Sequence, residues 1–287
     1  MEIRILETPD EMEATEVVSR QVWPGSETDI VPAHLLVTLA HNGGVIIGAF
    51  DDRDQLVGYT FGFPGLEDIN DVARGLKFCS HQLGVLPELQ GSGLGFRLKR
   101  AQWQIARRQG FDHITWTYDP LLSMNANLNI AKLGAVCNTY LREVYGEMRD
   151  GLNAGLPSDR FQVDWWLNTP RVQRKLDRHP PQKLDLAHYL SADVPRANQT
   201  TLNDAGFPVP QPVDLLDFQP AIVLLEIPAD FYAVKRSDPA LALEWRLHTR
   251  AQFETLFARG YLVTDFVFLP GSPPRSYYVL SDGEATF

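Results

Sequence analysis

One run of residues constrains this chain more than any other: His81-Gln-Leu-Gly-Val-Leu-Pro-Glu-Leu-Gln90-Gly-Ser-Gly-Leu-Gly95. It reads as a strand, a glycine-rich turn and the start of a helix. Phe78 to Leu86 supplies the strand, and Pro87 ends it because proline removes a ladder donor. From Gly93 or Leu94 a helix runs to Gly110, with Leu94, Leu98, Ala101 and Ile105 along one apolar face. Glycines free the turn's amides to point inward at the positive end of the helix dipole, which makes an anion cradle with phosphate as its natural guest. A plain tight turn is the competing reading. Gly91, Ser92, Gly93, Leu94 and Gly95 are the candidate contacts.

Charge sharpens the point. The 287 residues carry a formal charge of -10, which disfavours a long-range grip on nucleic acid or an anionic membrane surface. Yet no acidic residue falls between Glu88 and Asp112, where Arg97, Lys99, Arg100, Arg107 and Arg108 cluster. An acidic protein has made one helix basic beside the cradle. Spacing excludes the named phosphate loops. Phe96 or Leu98 stands where a dinucleotide fingerprint needs its third glycine, and no G-K-[ST] follows as a Walker loop requires. A nucleophile elbow around Ser92 is not matched either.

The two cysteines, Cys79 and Cys137, lack neighbours at metal-ligand spacing, so neither a disulfide scaffold nor a zinc module is expected and no metal is called for. The acidic start MEIRILETPDEMEATE does not read as a secretory signal, and no run approaches the roughly 20 apolar residues of a membrane span. The expectation is a cytoplasmic protein without membrane or nucleic-acid partners.

The element order expected through residue 167 is β-α-α-β-β-β-α-β-α-β-β. It includes a hairpin of Val45 to Asp51 with Leu56 to Phe63, a strand over His113 to Tyr118, and a helix over Ser123 to Lys132. Strands over Val136 to Leu141 and Arg160 to Leu167 close the order. Eight of the twenty prolines then fall between Pro170 and Pro220. Residues 169–219 therefore read as a connector, and 220–287 as a β-α-β-β extension.

Gln90-x-x-Gly93-x-Gly95 after a strand resembles the [QR]-x-x-G-x-[GA] signature of the GNAT superfamily of acyl-coenzyme A dependent N-acyltransferases, and the element order resembles that family's too. A second family pattern, N-x-x-A-x-x-x-Y-x-x-x-G-F, meets Ser123-x-x-Ala126-x-x-x-Ile130-x-x-x-Gly134-Ala135, where Ala126 and Gly134 fit. The stretches WTYDPLLSMNANLNIAKLGA, SDRFQVDWW and EWRLHTRAQFETLFARGY are similar to a subgroup of long acetyltransferase-like chains. The resemblance covers about residues 1–168.

It implies an α/β GNAT domain with a mixed, splayed central sheet flanked by helices. The implied activity is direct transfer of an acyl group, acetyl by default and succinyl as the alternative, from acetyl-CoA or another acyl-CoA to a small amine such as an amino acid. It also implies that a splay between the fourth and fifth strands lets the pantetheine arm pair with Leu83 and Val85. The amides from Gln90 to Gly95 would hold the pyrophosphate, and Ser123 would add a cofactor contact.

His81 is the candidate base, on a face expected to hold Leu83 and Val85, with a structural histidine as the other reading. Asp119 and Asn125 are candidates to orient the amine, or are turn and helix-start residues. Ile130 cannot act as the family's tyrosine acid, which leaves Tyr145 and Tyr140 as candidate phenols near the site. Asn125 and Asn129, four apart, are expected to line a polar acceptor pocket. Arg246 and Arg250 are expected on a wet helix face. A homodimer is left open, and an acyl-CoA sensor or inactive homologue is the rival from another class.

Overall fold

The structure is a computed structural model that describes residues 1–25, 27–148, 154–176, 186, 189, 193–212 and 219–283. Two compact units divide the chain. The first comprises Met1–Trp116, Met148–Gly155 and Trp165–Asn168, and the second Thr117–Glu147, Leu156–Asp164 and Thr169–Phe287. This division by compactness falls elsewhere than the 168/169 and 219/220 boundaries expected from composition.

In the first unit, β1 (Glu2–Ile5), β2 (Val45–Phe50), β3 (Leu56–Leu66) and β4 (Leu76–Val85) are successive antiparallel neighbours, and β5 (His113–Tyr118) lies parallel beside β4. The β2–β3 turn closes because the Asp51 side chain accepts from the amides of Arg53 and Gln55, each at 2.9 Å. Helix α1 (Pro9–Val22) opens with a reciprocal capping box between Thr8 and Glu11. Helix α2 (Ala33–His41) starts after Pro32, as proline at a helix entrance allows.

Helix α3 (Leu94–Arg108) buries Leu94, Leu98, Lys99, Gln102 and Ala106. The expected face of Ala101 and Ile105 is rotated away, and both are only half-buried. Ile46, Ala49, Phe61, Phe78 and Leu98 form the apolar centre of this unit.

In the second unit, β6 (Val136–Leu141), β7 (Arg160–Trp166, its last two residues belonging to the first unit), β10 (Ile222–Ile227), β11 (Tyr261–Leu269) and β12 (Arg275–Asp282) run in the order β7-β6-β11-β12-β10, every neighbour antiparallel. The element order expected from β1 through β7 is the order observed, so the chain is a mixed α/β protein of the architecture that the resemblance implies. An aromatic cluster fills the second unit: Phe161 lies 4.6 Å from Phe253 and 5.5 Å from Tyr278, ring centre to ring centre.

Two local expectations change. The helix after β5 is a short α4 (Ser123–Ala126) that widens directly into a π-helical segment, Asn127–Lys132. Asparagines at 125, 127 and 129, poor helix formers, lie across this change of pitch. The expected connector holds a helix, α5 (Pro170–Leu176), and a two-stranded sheet of β8 (Asn198–Leu202) with β9 (Pro208–Pro212). Residues 177–185, 187–188, 190–192 and 213–218 of it lie outside the described residues. The C-terminal block carries an extra helix, α6 (Phe231–Ser237), ahead of α7 (Pro239–Ala258).

Candidate active site

After β4 a single 3-10 turn, Pro87–Leu89, leads to Gln90, and the Gln90 side chain folds back to donate to the Val85 carbonyl at 3.1 Å. Gly91 and Gly93 have φ of 79° and 88°, left-handed values that other residues avoid. A Cβ built on either meets nothing within 4 Å, so this face of the turn is open. Ser92 is engaged locally: its hydroxyl donates to the Leu89 carbonyl at 2.6 Å.

Gly93 caps α3. Among the described residues, the amides of Gly91, Gly93, Gly95 and Phe96 find no acceptor, whereas Arg97 is the first to bond back, to Gly93. These four donors at a helix N-terminus around an open bend are the groups to which an anion would bond. Arg97 and Arg100 lie within the next two turns. Lys99 does not contribute, because it points into the core.

The β4 edge is equally specific. Leu86 donates to the Val57 carbonyl at 3.0 Å, which fixes the alternation of the β3–β4 ladder. Gln82 and Gly84 therefore bond toward β3, while the N–H groups of Leu83 and Val85 project from the other edge. The parallel β4–β5 pairing covers only Phe78↔Ile114 and Cys79↔Thr115. Beyond it β4 continues through Val85 with these groups free to pair with an extended ligand. The expected pairing positions, Leu83 and Val85, are the ones the ladder exposes.

His81 is placed differently from the expectation. Phe61 pairs with Gln82 and Gly62 with Ser80, so His81 is an extra residue in β4, a bulge. The bulge slips the alternation by one, and His81 leaves the face of Leu83 and Val85. Its ring lies 5.3 Å from Phe61 while its other side reaches solvent. Partial withdrawal from water lowers its pKa below the usual histidine value, which keeps it neutral at pH 7.

Sequence reasoning missed Lys99. Its Nζ lies 2.9 Å from Ser80 Oγ, 2.8 Å from Gln102 Oε1, and 3.7 Å from the centre of the Trp116 ring. Burial pushes its pKa well below the lysine range. The signal was a lysine and a glutamine three apart, on the helix face that turned inward.

In the second unit several expected site residues are already committed. Asp119 is buried and holds the Arg246 guanidinium through both oxygens, Oδ1 at 2.9 Å from Nη1. Its Oδ1 also accepts from the Leu121 amide. An amine-orienting Asp119 is therefore corrected to a structural partner. Arg246 is 1% exposed rather than on a wet face, and Arg250 is bonded to Asp159, at 2.7 and 2.9 Å.

The Tyr140 hydroxyl donates to Asp159 at 2.8 Å, and burial raises its pKa, so it is corrected from substrate contact to the same network. Ser123 is buried with its hydroxyl 2.8 Å from that of Ser276, which takes it away from a cofactor. Asn129 is buried and Asn125 half-buried. The π-helical segment, at more than four residues per turn, breaks the i,i+4 stacking expected of them. Tyr145 remains exposed, its hydroxyl 2.7 Å from that of Thr117 at the end of β5.

Both cysteines are free thiols. Among the described residues, no group of three or more His, Cys, Asp or Glu is placed to hold a metal, and no helix is long and apolar enough to cross a membrane.

No protein-family model matches the chain, and no curated protein matches it. The structure is similar to solved acetyltransferases at low identity. One is an aminoglycoside 6'-acetyltransferase type Ii, 18% identical, covering 60% of this chain and 99% of that one at a TM-score of 0.44. Another is a Desulfovibrio desulfuricans protein assigned to the GNAT acetyltransferases, 16% identical over 58% of this chain and 98% of that one, TM-score 0.43. A third is a Salmonella typhimurium protein assigned as an acetyltransferase and solved with its cofactor acetyl-CoA. It is 16% identical over 64% of this chain and 98% of that one, TM-score 0.44.

Proposed function

We propose that the chain is an acyl-CoA dependent N-acyltransferase of the GNAT type, with residues 1–168 as the transfer domain and 220–287 as an extension. The observation that carries this reading is the β4–α3 bend with its four acceptor-free amides, followed by the unpaired edge at Leu83 and Val85. A diphosphate fits the first, and an extended amide-bearing arm fits the second. Neither fits a bare phosphate hydrolase as well.

When bound, the acyl thioester supplies an activated carbonyl. His81, neutral at pH 7, accepts the proton that the attacking amine must lose. A β4 amide on the free edge donates to the oxyanion as it forms. The acyl group and the amine are those named by the resemblance: acetyl or succinyl, and a small amine such as an amino acid.

Titration calorimetry with coenzyme A tests the cradle. Gly93→Glu sets a carboxylate beside the diphosphate and should abolish binding. Gly93→Ala shares the backbone strain without the charge and should retain part of the affinity. Equal affinities of Gly93→Glu and the parent chain would remove the bend from the site. A sensor that binds without turnover is the second reading, favoured by Ile130, which is fully buried where a tyrosine acid would stand. Thiol release with a panel of amines separates the two.

A further inference from the structure

The mechanism above leaves one buried group unused. Lys99 has no carboxylate partner among the described residues, and its surroundings are specific: Ser80 Oγ at 2.9 Å, Gln102 Oε1 at 2.8 Å, and the Trp116 and Trp165 rings at 3.7 and 5.5 Å from Nζ. All of these residues belong to the first unit. With no counter-charge beside it, burial lowers the pKa of this amine. Nζ donates to Ser80 Oγ and Gln102 Oε1 and faces the Trp116 ring, and loss of one proton would leave its lone pair toward the Ser80 hydroxyl.

A second observation concerns Gln102. Its side chain is fully buried, and its Nε2 has no hydrogen-bond partner. An unsatisfied buried donor beside a hydroxyl and its base is costly unless an acceptor visits it. Ser80 is the first β4 residue beyond the last pair with β5, and Trp116 is the first on β5.

We propose that Ser80 is a nucleophile activated by Lys99, with Gln102 orienting the amine and offering its free N–H to an oxyanion, so that the protein forms an acyl-serine and hydrolyses acyl thioesters. The arrangement has the three required parts: nucleophile and base within hydrogen-bond reach, and a third group holding the base. In the first step Ser80 Oγ bonds to the thioester carbonyl carbon and the C–S bond breaks. The hydroxyl proton passes to Lys99 Nζ and then to the departing thiolate, which leaves as free thiol. In the second step water attacks the ester and gives its proton to Lys99. The Ser80–acyl bond breaks, Oγ recovers that proton, and a carboxylic acid is released.

The natural donor in this proposal rests on the acyl-CoA reading, but the dyad itself does not. The full chain is therefore treated separately with p-nitrophenyl acetate and with acetyl-CoA, and acylated peptides are located by mass spectrometry. An acetyl group on Ser80, absent from Ser80→Ala and formed roughly 10²–10⁴-fold more slowly in Lys99→Met, is the expected result. Lys99→Met keeps the length of the side chain and removes an unpaired buried amine, so it should fold, as far-UV circular dichroism would verify. Labelling by the ester but not by acetyl-CoA upholds the dyad and counts against the acyl-CoA reading. No adduct with either reagent on folded protein, or an adduct on Lys99 in place of Ser80, overturns the proposal, whatever calorimetry says of coenzyme A.

Discussion

A lysine amine buried without a carboxylate costs stability wherever the unfolded chain would carry it protonated. The folded pKa of Lys99 is depressed, so its contribution is most favourable above the unfolded value near 10.4 and is lost as pH falls toward the folded value. Lys99→Met should accordingly raise stability at pH 7, by about 1–4 kcal/mol on the scale seen when buried charges give way to apolar side chains. A higher denaturant midpoint would register it. Arg246 is the opposite case. Removing it as Arg246→Met strands the Asp119 carboxylate in the interior and should cost about 3–5 kcal/mol, largely restored by adding Asp119→Asn. His81 has a kinetic signature. Its lowered pKa puts the acid limb of the rate profile below the usual histidine value, with activity rising as pH rises through it, and His81→Ala should erase that limb.

Strands and helices differ in how far they can be read ahead. β5 and β6 fall at the bounds that alternation and turn residues set, because each is a short apolar run between breakers. The β4 bulge is not visible that way, since one extra residue in Ser80-His81-Gln82 is indistinguishable from weak alternation until β3 is laid beside it. The inward turn of α3 is hidden for a related reason: Lys99 and Gln102 look solvated by type, and only the Trp116 and Trp165 rings make them core. The free β4 edge gives a test at this scale. Leu83→Pro deletes an N–H that faces away from β3, so it should spare the β3–β4 ladder and weaken coenzyme A binding severalfold, read by calorimetry beside circular dichroism.

Across the molecule the β4–α3 bend was legible because its residues are contiguous, from Gln90 to Gly95. The second unit's network was not, since Asp119 meets Arg246 127 residues away and Ser123 meets Ser276 153 residues away. Composition gave the charge, and the structure shows where it matters for acid stability. Burial acts to raise the Glu11 pKa but is outweighed by the Glu7 and Thr8 amides and by Arg4, which bring it to about 2. Asp159 is also lowered, with burial outweighed by Arg250, Tyr140 and the Glu143 amide. Both contribute stability above their unfolded pKa values, near 4, that is lost as pH falls through the folded ones. Thermal melts should therefore drop steeply below about pH 4.

An odd residue in a two-by-two ladder behaves like a dislocation in a crystal. On one side of His81 the strand keeps step with Phe78 and the core; on the other it keeps step with the bend. Deleting that single residue would leave Ser80 opposite Gly62 and Gln82 opposite Phe61, so both halves would keep their faces. The strand would close into an uninterrupted ladder, and the local bend and added twist between Ser80 and Gln82 would be lost.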